Sequence, residues 1–279
     1  ALARFTTTPV LGVISGAVST ALLQSSSATI LTVIGFVGAG LMTFSQSVAV
    51  IFGANVGSTA TGWVVALVGL KLQLGTVAMP LLFLGALLAA VGRDRRRQVG
   101  LALSGFSLIF LGLEVMQAGS GAISDLLSRT GLPSKGLVGM LVLVLTGIVI
   151  TSIIQSSGAG VAIALVLLQD GSLSLLQAGA LVIGMDLGTT VKSILATLGG
   201  STAMRRTAMA HVGYNLVADA LAFLALPALP MIGRWTGDDA TALVSFHTVF
   251  NLAGIAILLP LIVPFSRVIE RLVPADSGP

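Results

Sequence analysis

The chain has 279 residues, of which 55% are hydrophobic and only 9% charged, and its mean hydropathy is +1.05. A soluble domain has about a quarter of its residues charged, so this composition excludes a soluble globular protein and indicates a helical membrane protein. The net charge of +4 comes from basic residues at the ends of apolar segments, which favours orientation in a lipid bilayer over nucleic-acid binding. The lack of cysteine excludes disulfides and thiolate metal sites.

Ten apolar segments follow one another along the chain, and we predict that they are helices. Several are too short for the about 20 residues that a transmembrane helix needs, and others are interrupted by polar or glycine-rich sequence. The segments cover residues 9–23, 28–41, 47–70, 74–91, 99–117, 137–154, 159–168, 175–198, 207–233 and 241–264.

The interruptions occur as two related pairs. The sequence QSSS (24–27) separates the first two segments, and QSSG (155–158) separates another two. GANVGST (53–59) and GMDLGTT (184–190) lie inside longer segments, and each predicts a broken transmembrane helix. A single offset of 131 positions aligns the first pair of motifs and, without a gap, the second pair. The chain therefore contains an internal repeat.

The distribution of arginine and lysine predicts that the two repeats are inverted. If each Gln-Ser unit is a re-entrant hairpin, nine basic residues lie on one side of the membrane and four on the other. The larger group then marks the cytoplasm, so the first hairpin enters from the cytoplasm and the second from outside. The nine are Arg4, Arg93, Arg95, Arg96, Arg97, Arg205, Arg206, Arg267 and Arg271, and the four are Lys71, Arg129, Lys135 and Arg234.

Inverted repeats with interrupted helices are typical of secondary transporters. The free N–H groups at the start of a half-helix carry partial positive charge and, with adjacent serine hydroxyls, suit an anion. Carbonyl oxygens at the other half-helix end, together with Gln, Asn and Thr oxygens, suit a hard cation such as sodium. We therefore expect a site for cotransport of an anion and a cation near the membrane midplane.

The doubled motifs resemble those of the sodium-dependent phosphate cotransporter family, the type II proteins and their bacterial members. In that family, paired QSSS-type motifs are each followed by a GANxG[ST]T-like segment, and GFSLIFLGLEVM (105–116) and RRTAMAHVGYNL (205–216) are similar to its connecting helices. The resemblance covers nearly the whole chain. It implies an all-α membrane protein, an inverted-repeat secondary transporter with two re-entrant hairpins and two broken transmembrane helices, that performs sodium-driven phosphate symport.

The resemblance also implies which residues bind inorganic phosphate and sodium. Sodium is expected as a coupling ion, with no cofactor. Arg205 and Arg206 are counted as phosphate ligands because guanidinium groups bind phosphate, although they also fit the role of positive-inside anchors. The phosphate ligands are Ser25, Ser26, Ser27, Ser156, Ser157, Asn55, Arg205 and Arg206, and the sodium ligands are Gln24, Gln155, Ser58, Thr59, Asp186, Thr189 and Thr190.

Two positions depart from the family pattern, and they leave alternatives open. Gly158 stands where a third serine is common, and Asp186 stands where asparagine is usual. A carboxylate at Asp186 strengthens a sodium site or repels phosphate and shifts the substrate. The region after the first break, VGLKL (68–72), has no acid where electrogenic family members have aspartate, so the sodium stoichiometry stays open. Symport of a dicarboxylate or sulfate and export of phosphate are the alternatives among transporters. An intramembrane serine protease is the alternative from another class. A protease needs one nucleophile, whereas these serines occur in related pairs, so we predict that the protein is not an enzyme.

Two further pairs of polar residues share a spacing of four. His211 and Asn215, like His247 and Asn251, therefore lie on one face of a helix. We interpret them as groups that form hydrogen bonds between helices, with proton coupling or lining of the site as the alternative.

We divide the chain into a first repeat (1–98), a second repeat (99–240), and a last transmembrane helix with its tail (241–279). The second repeat begins with the apolar segment 99–117 before its hairpin, so by symmetry we expect one more transmembrane helix before Ala1; LARFTTTPVLG near the start also echoes LLSRTGLPSKG (126–136). The expected location is a bacterial inner membrane, with multiple passes and contact with lipid. A homodimer is compatible with the sequence, which does not define the oligomeric state.

Overall fold

The computed structural model describes residues 6–71, 75–130 and 136–275, and all regular secondary structure in these ranges is helical. A π-helix, Val64–Lys71, follows α3, and a 3-10 turn, Leu226–Ala228, precedes α11. The α-helices are α1 (Pro9–Leu23), α2 (Ser26–Gly38), α3 (Phe44–Trp63), α4 (Gly75–Val91), α5 (Asp94–Thr130), α6 (Gly136–Ile154), α7 (Ser157–Gln169), α8 (Leu175–Gly188), α9 (Thr190–Leu195), α10 (Thr202–Ala225), α11 (Leu229–Thr236), α12 (Asp239–Leu258) and α13 (Ile262–Leu272).

Six helical stretches in the described ranges are long and apolar enough to cross a membrane. The prediction of an all-α membrane protein is therefore confirmed. The described chain also contains shorter apolar helices, among them α2 and α7 with 13 residues each. The six candidate spans are Phe44–Leu70, Asp94–Gly121, Gly136–Ile154, Leu175–Leu195, Thr202–Thr236 and Asp239–Leu258.

Two of these spans form the centre of the molecule. In the span Phe44–Leu70, 72% of the most apolar 18 residues are buried, and in Leu175–Leu195 the share is 67%. In Asp94–Gly121 and in Gly136–Ile154 the corresponding share is only 22%. The α3 and α8 helices pack with α10 and α12, and the rings of Phe52 and Tyr214 stack there with centroids 4.7 Å apart. The two glycine-rich motifs, 53–59 and 184–190, therefore lie on the most enclosed spans.

The α3 helix is continuous through residues 53–59, so the predicted break there is wrong. A Cβ atom at Gly53 would lie only 1.9 Å from the carbonyl oxygen of Val13, so glycine is needed for the close packing of α1 on α3. Glycine in an apolar helix indicates either a break or a close helix contact, and here it provides the contact. The helical hydrogen bonding changes only after Trp63, in the π-helix.

The second predicted break is reduced to a single residue. Thr189 separates α8 from α9, and its dihedral angles, φ −63° and ψ −25°, remain helical. Its N–H donates to the carbonyl of Asp186 at 3.2 Å, which tightens the turn without unwinding the chain. Gly184 again serves packing, because a Cβ atom there would lie 1.9 Å from the carbonyl oxygen of Val144 in α6. The prediction of an unwound segment is therefore wrong here too.

The last two predicted segments are each divided by proline. The α10 helix ends at Ala225, before Pro227 and Pro230, which cannot continue the helical hydrogen bonds. Pro260 likewise follows the end of α12, and the separate helix α13 comes after it. The predicted last transmembrane helix is therefore shorter than 241–264.

Part of the predicted orientation lies outside the described residues. Arg4 and Lys135 are not described, nor are the side chains of Lys71 and Arg129. In the predicted hairpins, α1 has 15 residues, whereas α6 has 19 and is long enough to cross a membrane alone. Re-entry and inversion therefore stay predictions.

Candidate functional site

The two Gln-Ser motifs meet in the folded chain. Ser26 Oγ and Ser157 Oγ lie 3.5 Å apart, although 131 residues separate them. Ser26 is the first residue of α2 and Ser157 the first residue of α7, so two helix N-termini converge at this point. We call residues 24–27 and 155–158 together the tip site.

The same backbone conformation forms each half of the tip site. Gln24 and Gln155 adopt left-handed φ angles of 52° and 61°, and these end α1 and reverse the chain after α6. Each glutamine side chain donates its amide N–H to the carbonyl three residues earlier, at Ala21 and Ser152. A left-handed conformation costs a residue other than glycine about 1–2 kcal/mol, and such strain occurs preferentially at functional sites.

The serine that follows each glutamine caps the next helix. Ser25 Oγ accepts from the N–H of Ala28 at 3.1 Å, and Ser156 Oγ accepts from the N–H of Ala159 at 3.3 Å. The N–H groups of the first helical residues, Ser26 and Ser157 among them, have no acceptor within their own helix. The tip site therefore combines the partial positive charge of two helix ends with serine hydroxyls, an arrangement that suits an oxyanion.

Thr61 and Lys192 contact the two glutamines, and they too are 131 positions apart. Thr61 Oγ1 donates to Gln24 Oε1 at 3.0 Å, and Lys192 Nζ donates to the carbonyl of Gln155 at 2.9 Å. Lys192 therefore brings a positive charge to the tip site. The sequence alone did not assign Lys192 to this site, although its equivalence to Thr61 and its place inside an apolar span were signals of function.

The structure also explains why glycine replaces the third serine in the second motif. A Cβ atom at Gly158 would lie 2.7 Å from Cγ2 of Thr61. This separation is too short for two carbon atoms, so a serine at that position would collide with α3. The departure from the family pattern is therefore a steric consequence of how the two motifs meet.

The hydroxyl groups predicted to bind sodium donate to their own helices. Asn55 behaves similarly, because its Nδ2 donates to the carbonyl of Ile51 at 3.0 Å. In these bonds the hydroxyl and amide N–H protons are donated to backbone carbonyls, so the lone pairs of the side-chain oxygens stay available to a cation. The hydroxyls of Ser58, Thr59, Thr189 and Thr190 are buried, and each donates to the carbonyl three residues earlier at 2.6 to 2.8 Å.

Asp186 belongs to a buried polar cluster between α8, α10 and α12. Its Oδ1 lies 3.6 Å from His247 Nε2, and its carbonyl accepts from Asn215 Nδ2 at 3.1 Å. His211 Nδ1 lies 2.8 Å from Ser193 Oγ of α9. The interpretation as groups that form hydrogen bonds between helices is therefore confirmed for His211 and Asn215. The side chains of His247 and Asn251 form no such bond in the described chain, since Asn251 Nδ2 donates within α12 to the carbonyl of His247.

Arg205 and Arg206 lie at the start of α10, away from the tip site. The adjacent Met204 packs on Gly38, because a Cβ atom there would lie 2.7 Å from the Met204 sulfur. Gly38 ends α2, and the rise of about 1.5 Å per residue places it about 18 Å from Ser26 at the other end of that helix. The structure therefore does not bring the two arginines to the serines.

Arg206 instead connects α10 with the end of the described chain. Its Nε donates to the carbonyl of Val273 at 2.9 Å, and its Nη1 lies 4.0 Å from the carboxylate of Glu270 in α13. Through these two contacts Arg206 holds the C-terminal end of α13 against the start of α10.

Comparison with known proteins gives three informative relatives. YqeW of Bacillus subtilis strain 168, an uncharacterized protein, is 32% identical over 275 residues, which are 98% of this chain and 88% of YqeW. A protein of Escherichia coli K12 named "Putative inorganic phosphate export protein YjbB" is 29% identical over 261 residues, and the protein of that name in Salmonella typhimurium is 26% identical over 260. These alignments cover 91% of this chain and 46% of either YjbB, so the chain spans about half of their length. No solved structure matches the chain.

The family comparison agrees with the motifs. The model of the Na+/Pi-cotransporter family matches residues 1–118 and 134–257, which include both halves of the tip site and both glycine-rich segments. This match confirms the resemblance that the doubled motifs indicated. The chain therefore belongs to the Na+/Pi-cotransporter family.

Proposed function

We propose that this protein is a sodium-coupled phosphate symporter that binds phosphate at the tip site and works by alternating access. The observation that carries the proposal is the meeting of Ser26 and Ser157, 3.5 Å apart, at two helix N-termini. Hydroxyl and amide donors at helix ends stabilise a phosphate without requiring a fixed charge for each phosphate oxygen. Lys192 adds one positive charge to this arrangement, and membership in the Na+/Pi-cotransporter family supports phosphate as the substrate.

The proposed phosphate ligands are side chains and backbone amides of the tip site, together with Asn55 of α3. Arg205 and Arg206 stay predicted phosphate ligands, although the structure places the start of α10 at the far end of α2 from the tip site. The ligands of the tip site are Ser25, Ser26, Ser27, Ser156 and Ser157.

Sodium ions are proposed to bind where oxygen atoms collect beside the tip site and on α3 and α8. Oxygen ligands suit this hard cation, and the hydroxyls concerned keep their lone pairs free of their own helical bonds. A bound sodium ion also offsets the negative charge of phosphate, which makes joint transport of the two ions favourable. The proposed ligands are Gln24, Gln155, Ser58, Thr59, Asp186, Thr189 and Thr190.

Alternating access is proposed to come from two inverted repeats, with α1–α2 and α6–α7 as re-entrant hairpins. The α2 and α7 helices are too short to cross a bilayer alone. The repeat is supported by packing, because Gly53 contacts Val13 and Gly184 contacts Val144, pairs related by the same offset of 131. Inverted repeats of this kind permit the site to open to either side by an exchange of conformations.

Phosphate export is a second candidate function, and the printed name of the YjbB proteins favours it. The same tip site serves either direction, because helix ends and hydroxyls bind phosphate equally from both sides. Coupling decides between the candidates: sodium drives uptake in a symporter, whereas export does not require an inward sodium gradient.

A serine hydrolase is disfavoured, although Ser193 and His211 form a hydrogen-bonded pair at 2.8 Å. Ser193 is 3% exposed and His211 is 1% exposed, so a peptide cannot reach the hydroxyl in this conformation. Both residues also lie outside the doubled motifs, and the family is one of cotransporters.

Uptake of radiolabelled phosphate into proteoliposomes tests the proposal. We expect phosphate to accumulate against its own gradient when external sodium exceeds internal sodium, and not when potassium replaces sodium. Equal accumulation in sodium and potassium contradicts sodium symport, and efflux that needs no sodium gradient supports export. Competition by excess sulfate or succinate tests the other oxyanions, and protein-free liposomes provide the control.

A further inference from the structure

The core between α8, α10 and α12 contains five acceptor oxygens that are buried and have no hydrogen-bond partner among the described residues. The residues that carry them are at most 4% exposed. A buried acceptor without a partner destabilises the fold, and an uncompensated carboxylate does so most strongly. The five atoms are Oδ2 of Asp186, Oδ1 and Oδ2 of Asp219, Oδ1 of Asn215 and Oδ1 of Asn251.

Three of the four residues lie close together around α10. Asn215 and Asp219 are four positions apart on that helix and therefore share one face. Asn215 Nδ2 donates to the carbonyl of Asp186 at 3.1 Å, so the Oδ1 of the same amide also lies beside Asp186. Asp219 lies one turn beyond Asn215 and is 4% exposed, so its carboxyl group faces the same buried region.

The α12 helix closes the cluster on another side. His247 Nε2 faces Asp186 Oδ1 at 3.6 Å, which leaves Oδ2 of the same carboxylate without a partner in the described chain. Asn251 Nδ2 donates to the carbonyl of His247 at 3.1 Å, and the carbonyl of Asn251 accepts from Tyr214 Oη of α10 at 2.6 Å. These bonds fix the asparagine on α12 while its side-chain oxygen stays free to bind a ligand.

The chemistry of these atoms indicates a hard cation. All five are carboxylate or amide oxygens, which are ligands for hard cations, and thiols are absent from the chain.

We propose that Asp186, Asp219, Asn215 and Asn251 form a buried sodium site, separate from the tip site. It assigns three ligands, Asp219 and the two asparagines, that neither the family motifs nor the proposed function include. The identity of the ion as sodium rests on the proposed sodium coupling, whereas the existence of the site rests on the unpaired oxygens.

Sodium binding in the absence of phosphate tests the site directly. The chain has two tryptophans, and Trp63 Nε1 donates at 2.9 Å to Thr248, the residue after His247. A Trp235→Phe background therefore leaves one fluorophore next to the cluster. Titration of the purified full chain in detergent with sodium chloride, against choline chloride at constant ionic strength, is expected to give a saturable fluorescence change. In that background we expect Asp219→Asn to raise the Kd for sodium by roughly tenfold or more, because affinity depends on ligand charge.

A matched control is Asp170→Asn, which removes a carboxylate from the turn after α7, where its Oδ1 accepts from the N–H of Ser172. Its sodium Kd should equal that of the parent. Asn251→Ala, expected to weaken sodium binding, replaces Asp219→Asn if that variant does not fold. Equilibrium binding of radioactive sodium checks the fluorescence result.

The outcomes distinguish this site from the proposed function. Unchanged sodium affinity in both Asp219→Asn and Asn251→Ala overturns the site, even where sodium-driven phosphate uptake persists. Loss of sodium affinity in these variants, in a protein whose parent transports no phosphate, supports the site and contradicts the symport proposal. A fluorescence change that choline produces equally overturns the assignment to sodium.

Discussion

The segment α1–α3 and the segment α6–α9 have the same construction at the tip site but different charges. Both end a helix with a left-handed glutamine, cap the next helix with a serine and pack through glycine. The first segment has Asn55 and Thr61 where the second has Asp186 and Lys192. The left-handed turn, the serine cap and the glycine contacts are thus equivalent, whereas the ionisable groups occur in the second segment. We infer that the two segments share one scaffold and divide the binding chemistry between them.

A threonine pair shows the same divergence without a change of charge. In the first segment Thr20 Oγ1 donates to Thr29 Oγ1 at 2.9 Å. The equivalent of Thr29 is Gly160, and Thr151, the equivalent of Thr20, has a buried hydroxyl without a hydrogen-bond partner in the described chain. The second segment therefore contains the hydroxyl without a hydrogen-bond partner as well as the charged residues.

The largest effect is expected from removing the serines that join the two segments. Ser26→Ala and Ser157→Ala should each lower phosphate uptake by about 10- to 100-fold, because a hydrogen bond to a charged ligand contributes about 1.5–3 kcal/mol. Uptake is measured in proteoliposomes and normalised to the amount of protein in the membrane. Thr32→Ala and Thr146→Ala are matched controls, since each hydroxyl donates to its own helix. Near-normal uptake in both serine variants would remove the tip site from the mechanism.

The next effect concerns the packing that the segments share. Gly53→Ala and Gly184→Ala should each destabilise the protein by about 1–3 kcal/mol or more, because the new Cβ atom would meet a backbone carbonyl at 1.9 Å. Thermal unfolding in detergent measures the loss. Gly35→Ala is the control, since no described atom outside its own helix lies within 4 Å of a Cβ there. A large loss at Gly53 with none at Gly184 would show that the two contacts are not equivalent.

Helix positions and the tip site could be predicted from the sequence because both depend on local patterns. Long apolar runs define the spans, and the repeated Gln-Ser motif identified residues that meet across 131 positions. Residues 53–59 and 184–190 were predicted wrongly, because glycine occurs both where a helix breaks and where two helices touch. Only the tertiary contacts with Val13 and Val144 distinguish the two cases.

Three details of the site required the folded chain. Lys192 stands inside an apolar helix, and only its contact with the Gln155 carbonyl associates it with the tip site. Gly158 could be described as a departure from the family pattern, but its reason is the methyl group of Thr61. Asp219 belongs to neither motif, so the repeat did not indicate that it shares a face of α10 with Asn215, the residue that donates to the Asp186 carbonyl.

A smaller effect is expected from exchanging the charge that distinguishes the segments. Lys192→Thr gives the second segment the residue of the first, and we expect the KM for phosphate to rise by roughly three- to tenfold, since one charged partner of the anion is lost. Lys192→Arg should retain most of the affinity because it keeps the charge. Uptake at varied phosphate concentration separates KM from the maximal rate. An unchanged KM in Lys192→Thr would show that the lysine does not contribute to phosphate binding and only donates a hydrogen bond to the Gln155 carbonyl.

The smallest effect is expected at the helix caps that precede α3 and α8. Thr43 and Ser174 each form a capping box with the glutamine three residues later, Gln46 and Gln177. Thr43→Ala and Ser174→Ala should each lower the free energy of unfolding by about 1 kcal/mol, the usual contribution of an N-cap, while Thr43→Ser and Ser174→Thr should retain it. Thermal unfolding in detergent and phosphate uptake are measured together.

Equal losses of stability at the two caps, with an unchanged KM for phosphate, would place both caps in the common scaffold. A change in KM at one cap alone would instead extend the functional difference between the segments from the tip site to the far ends of α3 and α8. Since both caps lie at the start of their helices, 12 residues before Asn55 and Asp186, we expect them to influence folding and not the bound ions. Divergence between the segments is then confined to the side chains that we propose as ligands.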